Sequence, residues 1–301
     1  MNSKLPASLI LLLCGSAAAA QDEGTLVVDV ELVSLLFTVT DDDNRLLTGL
    51  TRGDFEVFED GVPQAIRDFE AQTDLPLTAA IAIDVSGSIR DQLRFEQEAA
   101  IEFFYSTIEP SRDRGMLVTF DSAVQILQEF TNRPEVLADA VGQIRSGGGT
   151  ALYDAAYLAI EQRIAGQPEG RRVLILISDG DDNASRVSLT ETLEIAQRYD
   201  VAIYSISTNS ITGNRSREQE RGDRALERFA GETGGRAFFP FRVESLAVNF
   251  QDISEELRSQ YALTYVSTNP ARDGTYREIE IRPLDDDHRV KVRSGYYAPV
   301  D

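Results

Sequence analysis

The chain has 301 residues, of which 42% are hydrophobic and 26% charged, so it can form one large domain or two modest ones. Acidic residues outnumber basic ones by 50 to 29, which gives a formal net charge of −21. A surface this acidic repels nucleic acid and anionic lipid and attracts cations and basic partners. The single cysteine, Cys14, excludes a disulfide framework within the chain.

The N-terminus has the pattern of a secretory signal peptide. Lys4 precedes the apolar run Leu5–Leu13, and small residues follow up to Ala18–Ala20. We therefore predict a signal peptide over residues 1–20 and an exported protein, either periplasmic or secreted. The run is shorter than the roughly 20 residues of a membrane-spanning helix, so no membrane span is expected. Cleavage would also remove Cys14 and leave no thiol for catalysis or metal binding.

The next part of the chain, residues 25–73, has the alternation of apolar and polar residues that is typical of β-strands. One strand begins at Phe55 and ends at Asp60-Gly61, a strong hairpin signal. We expect the partner strand of this hairpin to run through Ile66 and Phe69.

The middle part, residues 76–258, alternates between apolar strands and amphipathic helices. Leu77–Ile83 is apolar like a strand buried on both faces, and helical periodicity follows over Ile89–Ile108. Further strands are predicted at Met116–Phe120, Val124–Leu127, Val173–Ser178, Val201–Ser207 and Ala237–Phe239. Further helices are predicted at Pro134–Ile144, Leu152–Ile164, Leu189–Tyr199, Arg224–Thr233 and Val243–Arg258. This order predicts an α/β fold with a doubly wound, mostly parallel sheet, and a surface loop over the polar stretch Asn209–Asp223.

The last part, residues 259–299, returns to the β pattern, beginning with the alternation over Tyr261–Val266. Neither terminal segment has enough strands to bury one face of a sheet alone. We therefore predict that residues 25–73 and 259–299 pair into one flanking β-sandwich, with the α/β domain inserted between them. Two separate β units are the alternative, and hydrogen bonds between strands of the two segments would distinguish these arrangements.

Three polar motifs stand where a doubly wound sheet binds its ligands, at the carboxyl ends of strands. They are Asp84-Val85-Ser86-Gly87-Ser88, Gly147-Gly148-Gly149-Thr150 and Ser178-Asp179-Gly180. Each motif alone is explained by a helix cap or a turn. Together they bring two carboxylates and three hydroxyls to one edge of the sheet, and hard cations such as Mg²⁺ prefer ligand sets made of oxygen.

The motif residues resemble, in their order and spacing, the metal-ion-dependent adhesion site of von Willebrand factor type A domains, which integrin inserted domains share. These residues are Asp84, Ser86, Ser88, Thr150 and Asp179. None of the five departs from the family pattern. The resemblance extends from about Val28 to Tyr297 and includes Leu226–Gly235, a pattern associated with bacterial members.

The resemblance implies roles for these residues. Ser86, Ser88 and Thr150 would offer hydroxyl oxygens to the metal, and Asp84 and Asp179 would act largely through bound water. A vacant position would accept an Asp or Glu carboxylate from a partner protein. We thus expect a metal-dependent protein-binding module that is not an enzyme, with Mg²⁺ as the ion and Mn²⁺ or Ca²⁺ as alternatives. The glycines before Thr150 would let its loop move.

Other residues near the motif carry weaker expectations. Asp181 and Asp182 would repel acidic ligands, bind a second cation or simply point to solvent, and the last is the favoured expectation. Asp121 is a weak candidate for ligand contact. The last predicted helix, Val243–Arg258, matches the family's final helix, which moves in integrin-type domains when ligand binds. Here it leads straight into the strand that begins near Tyr261, and rigid packing is the favoured expectation.

The sequence also bears on three other functions. A serine hydrolase needs a general base, but the only histidine, His288, lies in an acidic C-terminal turn that we expect to be solvated, and no Gly-x-Ser-x-Gly surrounds Ser86. Gly147–Thr150 follows a helix and lacks the Gly-Lys-Ser/Thr ending of a phosphate-binding loop, which argues against a nucleotide-binding protein or an ATP-driven chelatase subunit. A structural or assembly scaffold of the cell envelope, whose metal only stabilises the fold, is the alternative function.

Overall fold

The structure is a computed structural model of the chain. It describes residues 32–71, 74–86, 93–145, 147–209, 216–240 and 245–300. The predicted signal peptide at 1–20 lies outside these residues. No helix within the described ranges is long and apolar enough to cross a membrane.

Strands and helices alternate through the middle of the chain, and strands occupy both ends. The strands are β1 (Leu32–Thr40), β2 (Phe55–Glu59), β3 (Val62–Gln64), β4 (Ile66–Ala71), β5 (Leu77–Asp84), β6 (Arg114–Phe120), β7 (Val124–Thr131), β8 (Arg171–Ser178), β9 (Val201–Ser207), β10 (Ala237–Phe238), β11 (Tyr261–Val266), β12 (Tyr276–Pro283), β13 (Arg289–Lys291) and β14 (Gly295–Tyr297). The helices are α1 (Leu93–Thr107), α2 (Pro134–Val141), α3 (Leu152–Ala159), α4 (Leu189–Arg198), α5 (Arg217–Thr233) and α6 (Ser245–Arg258).

The central sheet has the order β10-β9-β8-β5-β6-β7 and is parallel except for β7, which runs antiparallel to β6. Every residue of β5 is buried because helices cover both faces of the sheet. Ile81 and Ile83 pack in one core with α1, α2 and α6, while Ala80 and Ala82 pack in the other with α3, α4 and α5. This confirms the predicted doubly wound α/β fold, in which β5 and β8 are neighbours where the chain changes direction across the sheet.

The flanking β-sandwich is built from both ends of the chain. Its two sheets have the orders β13-β1-β11-β4 and β14-β12-β2-β3. β1 pairs antiparallel with β11 and β13, and β2 pairs with β12, so each sheet combines strands that precede and follow the α/β domain. The bounds of the N-terminal β segment, the α/β domain and the C-terminal β segment stay predictions, at 25–73, 76–258 and 259–299.

The predicted hairpin at Asp60-Gly61 exists, but its partner strand is not the predicted one. Asp60 and Gly61 have φ values of 49° and 75°, and β2 pairs across this turn with the short β3. Ile66 and Phe69 lie in β4, which pairs with β11 in the other sheet. The prediction was wrong because alternation shows that a strand has one buried face and does not show which strand lies beside it.

The polar stretch Asn209–Asp223 is not a loop throughout, because α5 begins at Arg217 rather than at Arg224. A capping box marks the start: the Gln219 backbone N–H donates to the Ser216 hydroxyl at 3.2 Å, and the Ser216 backbone N–H donates to the Gln219 side chain at 2.7 Å. The first turns are rich in charged residues, which hides the helical pattern from a search for apolar periodicity.

Candidate metal site

Asp84 is the last residue of β5 and is fully buried at the carboxyl edge of the central sheet. Its Oδ1 accepts a hydrogen bond from the Ser86 backbone N–H at 2.8 Å, and its Oδ2 accepts one from the Ser178 hydroxyl at 2.8 Å. Burial raises the pKa of Asp84 to about 6, the bonds from Ser86 and Ser178 oppose this rise, and the charge of Asp179 adds to it. A cation nearby would favour the ionised carboxylate.

Thr150 is tied to the loop that follows Asp179. Its backbone N–H donates to Oδ1 of Asn183 at 3.1 Å. In return, its carbonyl oxygen accepts hydrogen bonds from the backbone N–H groups of Asn183 and Ala184, each at 3.1 Å. The backbone of Thr150 is thereby joined to the loop that follows the second carboxylate of the motif, and the residue is only 4% exposed.

The glycines before Thr150 are held as firmly as Thr150 itself. The backbone N–H groups of Gly147–Gly149 donate, in order, to the carbonyl of Val85 at 2.5 Å, to Oδ2 of Asp121 at 3.2 Å and to the hydroxyl of Ser122 at 2.9 Å. These contacts therefore favour a fixed loop and not the mobile loop that was expected.

Glycine suits this loop because side-chain oxygens approach its backbone closely. A Cβ on Gly147 would lie 2.0 Å from Oδ2 of Asp121. A Cβ on Gly149 would lie 3.0 Å from the Ser122 hydroxyl oxygen and 3.1 Å from Oδ1 of Asn183. Any side chain would push these hydrogen-bond acceptors away from the loop.

Asp179 lies half-buried in the turn that follows β8. Its Oδ1 accepts a hydrogen bond from the Asp181 backbone N–H at 3.1 Å, and its carbonyl oxygen accepts one from the Asn209 side chain at 2.5 Å. Gly180 has a φ of 75°, and a Cβ there would lie 2.3 Å from the carbonyl oxygen of Gly222. The first turns of α5 thus pack directly on this turn and fix its path.

The structure brings four of the five motif residues to one edge of the sheet. Asp84, Ser86 and Thr150 are buried, with Ser86 and Thr150 each 4% exposed, and Asp179 is close enough to Asp84 to influence its pKa. The fifth residue, Ser88, lies outside the described residues.

The acidic residues after the motif do not simply point to solvent, so that expectation was wrong. Asp181 forms an ion pair with Arg221 at 3.2 Å. Asp182 accepts hydrogen bonds from the Ser185 hydroxyl at 2.6 Å and from the Tyr153 backbone N–H at 3.4 Å. Both side chains therefore help to order the loop around the site.

Glu96, in the first described turn of α1, is an acidic residue near the site that the sequence motifs do not include. It is fully buried, and neither carboxyl oxygen has a hydrogen-bond partner in the described part of the chain. Burial raises its pKa to about 8, and the charge of Asp84 adds to the rise. Its spacing from the apolar residues Leu93 and Ala100 places it on the inner face of the helix, which was the signal available in the sequence.

The last helix is anchored to both neighbouring parts of the fold. The Ser254 hydroxyl in α6 lies 2.5 Å from the Thr107 hydroxyl in α1. Glu256, also in α6, accepts hydrogen bonds from the Tyr204 hydroxyl at 3.2 Å and from the Thr38 hydroxyl of the sandwich at 3.5 Å. Burial raises the pKa of Glu256. These contacts favour the rigid packing expected for this helix.

His288 does not belong to the sheet edge and is not fully solvated. It lies just before β13, its side chain is 19% exposed, and its Nε2 is 3.7 Å from a carboxylate oxygen of Asp285. It is the only histidine of the chain, so the described sheet edge has no imidazole base beside Ser86.

The chemistry of the donor set fits a hard divalent cation. In the described ranges, no group of three or more His, Cys, Asp or Glu residues could hold a metal ion by itself. Hydroxyl oxygens would therefore have to complete the set, and Ser86 and Thr150, which are buried at the edge that carries Asp84 and Asp179, would provide them. All of these donors are oxygen atoms, which suits Mg²⁺, Mn²⁺ or Ca²⁺.

Three solved structures with the same fold match different shares of this chain. A von Willebrand factor type A protein from Catenulispora acidiphila is 12% identical, with a TM-score of 0.54 over 91% of this chain and 75% of that one. Proximal thread matrix protein 1 from the mussel byssus, solved with zinc in its metal-ion-dependent adhesion motif, is 18% identical, with a TM-score of 0.51 over 64% of this chain and 49% of that one.

The von Willebrand factor domain of the type V pili tip protein Mfa5 from Porphyromonas gingivalis is 13% identical, with a TM-score of 0.51 over 61% of this chain and 95% of that domain. At these identities the similarities show a shared fold. Comparison with curated protein sequences finds no match.

The family model of the von Willebrand factor type A domain matches residues 80–256, which is more than half of the chain. The match begins in β5, ends in α6 and includes every strand of the central sheet, in full or in part. The chain therefore belongs to the von Willebrand factor type A domain family.

Proposed function

We propose that this protein is an exported protein-binding module that holds one divalent cation and captures a carboxylate of a partner protein through it. The residues that would hold the ion are Asp84, Ser86, Ser88, Thr150 and Asp179. The observation that supports this most directly is the buried Asp84 carboxylate, fixed by Ser86 and Ser178 and close to Asp179. Mg²⁺ is the expected ion, with Mn²⁺ and Ca²⁺ as alternatives.

Each residue would have a distinct part. The hydroxyls of Ser86, Ser88 and Thr150 would bind the ion, and Asp84 and Asp179 would orient its water molecules. A bound divalent ion supplies an electrophilic position for an incoming Asp or Glu side chain. Because few carboxylates would bind it directly, its positive charge would stay available to that ligand.

The comparisons support this proposal in two respects. The mussel protein holds zinc in a motif of the same kind, which supports a divalent ion here. Mfa5 is a pilus tip protein, which supports a role in contact with other proteins. The signal pattern of residues 1–20 supports export to the periplasm or the medium, and the net charge of −21 argues against nucleic acid as the partner.

Calorimetric titration of Mg²⁺ and Mn²⁺ into the metal-free protein tests the site. We expect saturable binding to one site, and we expect Asp84→Ala/Asp179→Ala to abolish it. The matched control is Asp43→Ala/Asp139→Ala, which removes two exposed carboxylates away from the site and should bind like wild type. Absence of binding by the folded wild-type protein would overturn the proposal.

The scaffold function has its own supporting observation. The Ser86 backbone N–H and the Ser178 hydroxyl donate to Asp84, and these bonds hold the sheet edge without requiring an ion. The Asn183 side chain accepts the Thr150 N–H and also needs no ion. A pull-down of proteins that expose carboxylate-bearing segments, in Mg²⁺ and in chelator, separates the two functions. Capture that needs Mg²⁺ supports the binding module, whereas capture of the same proteins in both conditions supports the scaffold.

A further inference from the structure

Three side chains outside the five-residue motif hold the loop that presents Thr150. Asp121 and Ser122, in the turn between β6 and β7, accept the backbone N–H groups of Gly148 and Gly149. Asn183, in the loop after β8, accepts the N–H group of Thr150 itself. We call Asp121, Ser122 and Asn183 the loop clamp.

The loop clamp leaves the loop little freedom to shift. Each of the three clamped N–H groups has its own side-chain acceptor, at distances from 2.9 to 3.2 Å. The Ser122 and Asn183 oxygens also occupy the space beside Gly149, since a Cβ there would lie 3.0 and 3.1 Å from them, closer than ordinary van der Waals contact. The loop is thus held by hydrogen bonds and by close packing at the same points.

The position of the clamp residues is not explained by the stability of the core. Ser122 and Asn183 are exposed, and Asp121 is half-buried. Exposed hydrogen bonds of this kind exchange readily with water, so they add little to overall stability. What they do fix is the path of the backbone that carries Thr150, a buried residue at the same edge of the sheet as Asp84 and Asp179.

We propose that Asp121, Ser122 and Asn183 are positioning residues of the cation site, which set the affinity for the divalent ion by fixing Thr150. This proposal rests on the proposed function. Residues that orient metal ligands typically change metal affinity by about 10- to 100-fold when they are replaced, although they do not touch the ion. The clamp is therefore a determinant of affinity contributed by two loops outside the motif.

The test uses the mature protein and compares each alanine replacement with a conservative replacement of the same residue. Ser122→Ala and Asn183→Ala each remove one acceptor and should weaken Mg²⁺ and Mn²⁺ binding by about tenfold. Ser122→Thr keeps the hydroxyl and Asn183→Asp keeps an oxygen at the same position, so both should bind at least nearly as tightly as wild type. Ser111→Ala, an exposed serine in the turn between α1 and β6, makes the same chemical change away from the site and should have no effect.

Two measurements on each variant separate positioning from general stability. The affinity comes from calorimetry, and the melting temperature is recorded without metal and with saturating Mg²⁺. Without metal, we expect the alanine variants to have the melting temperature of wild type. At the same Mg²⁺ concentration, their melting temperature should rise less than that of wild type. The proposal would be overturned in favour of a structural role if the alanine variants had lower melting temperatures than wild type without metal and the conservative variants showed the same decrease.

The same experiment distinguishes failure of this inference from failure of the proposed function. If wild type binds the ion, Asp84→Ala/Asp179→Ala does not, and both alanine clamp variants bind like wild type, only the clamp proposal is overturned. If wild type itself binds no divalent ion, the proposed function fails and the clamp proposal fails with it.

Discussion

Gly147 and Asp121 fit together so closely that a Cβ on Gly147 would lie 2.0 Å from Oδ2 of Asp121. That same oxygen accepts the backbone N–H of Gly148 at 3.2 Å, and the other carboxylate oxygen accepts the Ala123 N–H at 2.9 Å. The Asp121 carboxylate thus joins the turn after β6 to the loop that carries Thr150. Gly147 is the residue that leaves space for it.

Gly147→Ala is expected to displace the Asp121 side chain and break its bond to Gly148. The strain should lower the free energy of unfolding by about 1 kcal/mol, because the atom that a Cβ meets first is the far end of a side chain. The lost exposed hydrogen bond adds little to this, and chemical denaturation measures the change. Gly231→Ala is the matched control, because its Cβ would meet nothing within 4 Å in α5. Alanine is favoured over glycine inside a helix, so this control should gain about 0.5–1 kcal/mol. Equal effects of the two changes would contradict the prediction.

Glu96 should make the metal-free protein less stable as the pH rises. Its folded-state pKa of about 8 lies above the ordinary value of 4.5 because of burial and the charge of Asp84. The folded protein therefore holds a proton that the unfolded chain has released between these pH values, and stability falls by at most about 1.4 kcal/mol per pH unit. Glu96→Gln should flatten this decline between pH 6 and 8, as followed by denaturation at several pH values.

The control for this prediction is Glu98→Gln, which changes an exposed glutamate of the same helix that pairs with Arg94. It should leave the slope of stability against pH as in wild type. If Glu96→Gln and wild type show parallel curves between pH 6 and 8, Glu96 does not retain a proton in the folded protein.

Divalent cation binding should weaken in acid. Burial raises the pKa of Asp84 to about 6, so protons compete with the ion for this carboxylate below that pH. We expect the affinity for Mg²⁺ to fall by up to about tenfold per pH unit below pH 6, measured by calorimetry. Asp84→Asn should bind weakly at every pH, whereas the exposed control Asp139→Asn should keep the wild-type profile. A pH-independent affinity in wild type would show that Asp84 is not part of the site.

The buried ion pair of the β-sandwich should contribute strongly to stability. Arg277 lies 3.4 Å from Glu59, and Glu59 also accepts hydrogen bonds from the hydroxyls of Tyr265 at 2.7 Å and Tyr296 at 3.0 Å. Arg277→Met would leave the buried Glu59 charge without its cation. We expect a loss of about 3–5 kcal/mol in the free energy of unfolding, measured by chemical denaturation.

The exposed pair of Arg282 and Glu280, also in β12, is the matched control, since both side chains are about half exposed. Arg282→Met makes the same chemical change at the surface and should leave stability nearly unchanged. A small effect of Arg277→Met, similar to that of Arg282→Met, would show that the buried pair is not a major source of stability.

Local patterns in the sequence were sufficient to predict most elements of the fold. The unbroken apolar run Leu77–Ile83 predicted a strand covered on both faces, and it became β5 at the centre of the sheet. The start of α5 was missed because its first turns carry charged side chains, although the capping box of Ser216 and Gln219 was present in the sequence. Apolar periodicity detects the buried face of a helix. Where the first turns of a helix consist mainly of solvent-facing residues, those turns give no such signal.

The sequence by itself determined the doubly wound α/β class, the pairing of terminal segments into a sandwich and the set of oxygen-bearing residues at strand ends. The class and the residue set follow from strand and helix periods, turn residues and motif spacing, which are local properties of the chain. The pairing of the terminal segments follows instead from the number of strands in each, which is too small to bury one face of a sheet. Only the tertiary structure decided that Ile66 and Phe69 join the opposite sheet and that neither carboxyl oxygen of Glu96 has a hydrogen-bond partner among the described residues.

The tertiary structure also decided which groups surround Thr150. Asp121 and Ser122 are separated from it by more than 25 residues and Asn183 by 33, so no local pattern connects them. They meet because parallel strands end at the same edge of the sheet, which places loops from distant parts of the chain side by side. Spacing in the sequence can show which residues carry the chemistry, but contacts between loops depend on the packing of the whole domain.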